Sequence, residues 1–271
     1  MTKFNEGPLL AFDTSTAAFA AAILAKDNIL GDMQSLAERN HSVHVITHVK
    51  QLMEQCGVTA SDIGAIAVGS GPGSYTGMRI AVAAAKTLAW VWDKPLISIS
   101  SLEAIAYGGW HHATGASFGA VAKDEADSGL DWILPIMDAR RGQVYTSGYA
   151  LSAQGEWSCF AADGVRLMHD WVDRIAGEAA ERQGQLKRIW IVGDLTLHAE
   201  EAERLKSLGE EMGVQVHLLS YELEGRAVAW LGRIRLHEGK IADTHGLTPN
   251  YTQLAEAEVN LRAKQQGEAK S

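Results

Sequence analysis

Hydrophobic positions change period several times along the chain, and the changes predict alternating strands and helices. Pro8-Leu9-Leu10-Ala11-Phe12-Asp13 is an apolar run ending in a carboxylate, the pattern of a strand covered on both faces. Thr14-Ser15-Thr16 interrupts it, and Ala17 to Leu24 is apolar again. Two such runs split by a few small polar residues predict a hairpin. Lys26-Asp27-Asn28 marks the next turn, and Ile29 to Ala37 reads as a third strand. From Ser42 to Cys56 the period becomes helical. Val45, Val49, Leu52 and Cys56 recur at spacings of three and four, and Gly57 follows as a C-cap. Ile63 to Val68 is a short buried strand, Gly69 to Gly77 a glycine-rich run, Tyr75 to Trp92 a helix and Leu96 to Ser100 another strand.

The second half loosely repeats the first. Gly108 to Leu130 has no clear period and is expected to be a long loop or a loosely helical insert. Trp132 to Asp138 resembles the first strand, terminal Asp included, and Val144 to Ala150 alternates like its hairpin partner. Arg188 to Asp194 and Val214 to Leu219 are further strands, and Ala227 to His237 an amphipathic helix. These patterns predict two related α/β lobes arising by internal duplication. They are expected at residues 1–110 and 111–271, with the final helix free to pack back on the first lobe.

Composition narrows the classes. The 271 residues are 46% hydrophobic and 21% charged, ordinary for a soluble globular chain. Formal charge is 24 − 33 = −9, so bulk charge does not grip a polyanion, and an RNA role would need a partner to supply positive surface. Cys56 and Cys159 stand far apart with no CxxC pair, which argues against a disulfide framework or a zinc knuckle. A cytoplasmic location is expected. Asp13-Thr14-Ser15-Thr16 breaks the apolar stretch from Leu9 to Leu24, unlike a secretory signal. No stretch approaches the ~20 apolar residues of a membrane span.

Three features are candidates for chemistry or binding. A strand, a glycine run and a helix present backbone N–H groups to an anion, which makes Gly71 and Gly73, with the strand-end carboxylate Asp13, candidates to hold a nucleotide. The run spells neither a Walker A loop nor G-x-G-x-x-G, because Thr76 occupies the final glycine position. A tight turn that starts the helix close to the sheet explains it equally well. Between Met78 and Trp92 only Arg79, Lys86 and Thr87 are strongly polar, so that helix needs cover on more than one side, from its own core or from a partner. His44 and His48 have the i, i+4 spacing of many zinc sites, but with His41, Gln51 and Gln55 they continue a stripe that suits a helix–helix seam. No metal, and no hydrolase elbow, is expected.

Several segments together resemble the TsaB (YeaZ) family: Leu10-Ala11-Phe12-Asp13-Thr14-Ser15-Thr16, Arg39-Asn40-His41-Ser42, and Gly69 through Ile80. Ser100-Ser101-Leu102-Glu103 and Met137 through Tyr145 continue the likeness. The resemblance implies an actin/hexokinase-like (ASKHA) fold of two duplicated α/β lobes. It also implies a non-catalytic partner that forms a heterodimer with TsaD, joined by the ATPase TsaE, for threonylcarbamoylation of the tRNA adenosine beside the anticodon. Self-association into a homodimer is implied too, with tRNA reached only through the complex and no membrane involved. The implied interface uses the two first-lobe helices, at His41, His44, His48, Tyr75, Met78, Val82 and Ala85. TsaD carries Asn-His-x-x-Gly-His where this chain reads Ser100-Ser101-Leu102-Glu103-Ala104-Ile105, so no catalytic residue, no metal and no required cofactor are expected, with ATP or ADP possible at the partner interface. The alternatives are an independent nucleotide-binding small-molecule kinase of the same fold, or an inactive glycoprotease-like (M22) homodimer. The chain departs from the family pattern at Gln143, in the Gly108–Leu130 insert and after Tyr251.

Overall fold

The computed structural model describes residues 7–36, 41–119, 129–182 and 184–252. Its first sheet is built from β1 (Leu9–Asp13), β2 (Ala18–Ala25), β3 (Asn28–Leu36), β4 (Ala65–Gly69) and β5 (Leu96–Ile99), with helices α1 (His41–Gln55) and α2 (Tyr75–Trp92) between its strands. After α3 (Ser101–Thr114) comes a second sheet of β6 (Leu130–Asp138), β7 (Gln143–Leu151), β8 (Trp157–Leu167), β9 (Leu186–Gly193) and β10 (Gln215–Ser220). Helices α4 (Met168–Ala180), α5 (Ala199–Met212) and α6 (Gly225–His237) complete it.

The sheets have one topology. The first is ordered β3-β2-β1-β4-β5 and the second, in the same sense, β8-β7-β6-β9-β10. In each, the two hairpin pairings are antiparallel and the last three strands pair in parallel. The expected duplication is therefore present strand for strand.

Side-chain alternation explains why both faces of the first sheet are apolar. Leu9, Ala11, Ala20, Ala22 and Leu24 face a central core, whereas Leu10, Phe12, Phe19, Ala21 and Ile23 face an outer core beneath α1 and α2. A second outer core lies under α4 and α5. The central core holds α3 and α6, and each crosses over: α3 packs on β6, β7 and β9, while α6 packs on β1, β2, β4 and β5. Small residues permit the close approach. A Cβ on Gly225 would overlap the Ala21 backbone, and one on Gly232 would press on the Ala67 methyl. This proximity accounts for the alanine run of β2, where larger side chains would hold α6 off the sheet.

The expected insert is not wholly a loop. Gly108 through Thr114 belong to α3, which Ser100 caps by accepting from Glu103 N at 3.2 Å and Gly115 ends at φ 70. Its periodicity is hidden because it is buried nearly all round. Of the rest of that expectation, residues 115–119 are turn and irregular structure, Leu130 opens β6, and residues 120–128 lie outside the described residues. Three elements were not anticipated: β8, an edge strand with one buried residue, and the helices α4 and α5. Among the described residues no helix is long and apolar enough to cross a membrane.

After α6 the chain returns as a strap along the first lobe. Ala242 N donates to Leu96 O at 2.8 Å at the sheet edge. Lys86 Nζ on α2 donates to the carbonyls of His245 and Leu247, at 3.0 and 2.9 Å. The strap thus covers one flank of the apolar helix α2.

Candidate functional site

The glycine run is packed against the β1–β2 turn and spends its polar groups internally. Ser74 N donates to Ser15 O at 2.7 Å, and Thr14 Oγ1 donates to Gly77 O at 2.6 Å. A Cβ at Gly73 or Gly77 would overlap the carbonyl oxygen of Ser15 or Thr14, and Gly73 has φ 151. Both glycines are therefore required for α2 to begin so near the first strand. Ser74 caps α2 by accepting from Gly77 N at 3.3 Å.

Asp13 is fully buried beneath this loop. One carboxylate oxygen accepts from Ser15 N and the other from Ser101 Oγ, each at 2.5 Å. Ser101 Oγ in turn accepts from Gly71 N at 3.1 Å, and Ser101 N donates to Gly71 O at 2.9 Å. Burial pushes the Asp13 carboxyl above its ordinary range, and the hydrogen bonds from Ser101 and Ser15 pull it back. The structure thus joins Asp13 and Gly71 through Ser101, and adjoins Gly73, but turns them inward. An anion approaching the loop finds the Gly71 N–H already taken and a buried carboxyl behind it. These groups do not fit a phosphate cradle.

Behind the loop, polar groups fasten three parts of the chain together. Ser100 Oγ on the first lobe donates to Asp163 Oδ2 of β8 at 2.8 Å, and Asn250 Nδ2 of the strap donates to the same oxygen at 2.9 Å. Asn250 N donates to Ser70 O at 2.8 Å. Glu103 on α3 pairs with Arg235 on α6 at 2.7 Å. Burial raises both the Glu103 and the Asp163 carboxyl, opposed by Arg235 for the first and by the Ser100 hydroxyl for the second. Glu103 and Ser101, in the segment that follows β5, are both occupied with structural bonds.

A cleft of about 1340 Å³ opens between the lobes. One wall is the Ser15–Ala18 turn with the start of α2, the other the β6–β7 turn and the ends of β9 and β10, and Asn250–Thr252 border it. Asp138, the expected counterpart of Asp13, reaches this cleft and accepts from His198 Nε2 at 3.0 Å and from Arg140 N at 3.1 Å. Arg140 and Arg141 hold the turn at φ 65 and 55, left-handed values costly for side chains with a Cβ.

The expected interface residues divide. His44 and Tyr75 are exposed and His48 is half-buried, but Met78, Val82 and Ala85 are buried within the chain. They lie on the inward arc of α2 with Gly77, Ala81 and Ala89, where the chain's own core covers them and Met78 borders the interlobe cleft. For His41 only its place at the start of α1 is described. The open arc lies between the strap and α1 and carries Arg79, Ala83, Thr87, Trp90 and Val91, with Ile46 exposed on α1. Trp90 and Val91 expose 68% and 62% of their surface. They continue from Arg79, Ala83 and Thr87 at helical spacing. The helix is apolar on both arcs, so periodicity alone did not say which arc faces out. The His44 and His48 rings stand 5.9 Å apart, and among the described residues no three His, Cys, Asp or Glu side chains converge to hold a metal.

Comparison with known proteins agrees with this geometry. The family model described as "TsaD: tRNA N6-adenosine threonylcarbamoyltransferase" matches residues 33–187. The Bacillus subtilis tRNA threonylcarbamoyladenosine biosynthesis protein TsaB is 33% identical over 93% of this chain and 96% of its own length. Its Escherichia coli counterpart is 30% identical over 63% of this chain and 68% of its own length. A tRNA N6-adenosine threonylcarbamoyltransferase of Anaeromyxobacter is 27% identical over 78% of this chain but only 57% of itself. Among solved structures, YeaZ from Pseudomonas aeruginosa superposes with a TM-score of 0.63 at 21% identity, covering 90% of this chain and 99% of that one. The two duplicated lobes, with α3 and α6 exchanged between them, form the expected actin/hexokinase-like fold.

Proposed function

This chain belongs to the TsaB family, and from that premise we propose that it is a non-catalytic subunit in tRNA threonylcarbamoyladenosine biosynthesis, docking on a TsaD-type transferase through α1 and α2 and working with a TsaE-type ATPase. The observation that carries this reading is the open arc of α2. Ala83, Trp90 and Val91, with Ile46 of α1, leave apolar surface in water on a helix otherwise covered by its own core and strap. An exposed Trp among apolar neighbours is the composition of an interface hot spot. The same arc accommodates a second copy, so homodimer and heterodimer compete for it.

The lack of catalysis is supported by what fills the usual reactive positions. Asp13 and Gly71 are bonded to Ser101, and Glu103 to Arg235. The chain on this reading needs no cofactor of its own, and ATP or ADP would act at the partner interface. Purified alone it should modify no tRNA. Added to the transferase, the ATPase and a source of threonylcarbamoyl-adenylate, it should restore modification, and modification that proceeds equally well without it sinks the proposal. The size of the interlobe cleft favours a second reading, a small-molecule kinase, for which tight ATP binding by the isolated chain would be the sign.

A further inference from the structure

The mouth of the cleft carries a group of side chains at the N-terminal end of α2, roughly three turns or more along the helix from Trp90 and Val91. Tyr75, at the first turn of α2, and Tyr251, at the end of the strap, lie with ring centroids 5.2 Å apart, tilted by 34°. Each remains about half exposed, 50% and 46%. The Arg79 guanidinium sits 5.3 Å from the Tyr75 ring centroid, over its face. Across the mouth, the β6–β7 turn presents Arg140 and Arg141 on left-handed backbone. Arg140 makes no ion pair among the described residues, and its backbone is fixed by the bond from Arg140 N to Asp138 and by Met168 N donating to Gly142 O at 3.0 Å.

We infer that this cleft mouth binds single-stranded RNA, with an unpaired base stacking on the Tyr75–Tyr251 pair while Arg79 and Arg140 meet the flanking phosphates. Two half-exposed aromatic rings flanked by guanidinium groups are what an unstacked base and its backbone require, and stacking is indifferent to which base arrives. The chemistry also suits an acidic chain. With a net charge of −9, long-range attraction is unavailable, so affinity must come from stacking and a few local cations. The platform has a fixed place because Asn250, next to Tyr251, is tied to Ser70 of the glycine run and to Asp163 of the second lobe. Protein docking alone would not need a cation on the opposite wall, whereas a strand crossing the mouth would.

The inference rests on the tRNA reading above, and its test separates the two. A fluorescein-labelled anticodon stem-loop RNA is titrated by anisotropy into the complex of this chain with its transferase partner. Partner affinity is measured in parallel with unlabelled protein. Tyr251→Ala and Arg140→Gly are the test substitutions, since Tyr251 ends the strap and glycine accepts the backbone of Arg140. Each should weaken RNA binding about fivefold or more with partner affinity unchanged. Tyr251→Phe, which keeps the ring, should bind like wild type, and a fully paired RNA duplex should be insensitive to Tyr251→Ala. RNA affinity unchanged in both variants overturns the inference while leaving the scaffold reading intact. A loss of partner affinity equal to the loss of RNA affinity also overturns it, by making Tyr251 a protein contact. Failure of the wild-type chain to form the complex overturns the scaffold reading itself, and the isolated chain's own RNA binding then decides the inference.

Discussion

Removing the guanidinium of Arg235 tests whether the start of α3 is a structural fastening. Arg235 Nη2 lies 2.7 Å from Glu103 Oε1, and the Glu103 side chain keeps 9% of its surface. Burial raises the Glu103 carboxyl and Arg235 pulls it down. Arg235→Ala leaves a buried carboxylate without its counter-ion, a loss of about 3–5 kcal/mol when the group stays charged. The carboxyl escapes by binding a proton, so the cost depends on pH. A raised folded-state pKa means that the folded chain holds the proton more tightly than the unfolded one. Stability is therefore fully present below the ordinary value of 4.5 and is lost as pH climbs through the folded value. In the variant the folded value lies higher still, so the window extends further upward and the loss is larger. Urea titrations followed by tryptophan fluorescence should show about 3 kcal/mol or more lost at pH 8. At pH 5 the loss should shrink toward the ~1 kcal/mol of lost side-chain packing. Adding Glu103→Gln to the variant should remove the pH dependence. An equal loss at both pH values, or no relief from Glu103→Gln, would refute the reasoning.

Three other outcomes are expected. Trp90→Ala should leave stability within about 0.5 kcal/mol, as for other surface changes. It should also weaken binding to the transferase, by up to about 3 kcal/mol if the exposed two-thirds of the indole is covered in the complex; calorimetric affinity within threefold of wild type would exclude it from the interface. Gly77→Ala forces a methyl onto the Thr14 carbonyl and should cost about 1–3 kcal/mol, read as a lower urea midpoint; an unchanged midpoint would show that α2 shifts without penalty. Arg140→Gly should raise the thermal midpoint, because glycine takes φ 65 without the ~1–2 kcal/mol steric cost and gives back only part of that as chain entropy. A lowered midpoint would mean the arginine side chain supports the turn.

How much was legible depended on where each residue sits. The glycine run, the start of α2 and the paired strand-end aspartates were readable because they are local: a strand, a turn and a helix within a dozen residues. The arc of α2 that faces outward was not, since a helix with so few polar residues carries a weak periodic signal, and Met78, Val82 and Ala85 are buried within the chain. The helix α3 was hidden by the same uniform burial. The edge strand β8 was hidden by mixed exposure, and its Asp163 therefore passed unnoticed. Tyr251 had no local signal at all, because its significance comes from Tyr75, far away along the chain.

By itself the sequence determined what neighbouring residues decide: the two lobes with their repeated strand pattern, the family to which the glycine run and the Asp-Ala-Arg segment assign the chain, and a segment from Ser100 to Ile105 that holds no histidine. Only the tertiary structure decided what distant residues share. It turned Asp13 and Gly71 inward onto Ser101, exchanged α3 and α6 between the lobes, and set Glu103 against Arg235. It also laid the strap over α2 so that one arc is covered and the other left open. The physical reason is that hydrogen-bond partners and burial are properties of pairs brought together across the sheets, and the glycine run, which on sequence reads equally as an anion cradle or a turn, becomes a closed turn only once Ser101 is seen to occupy it.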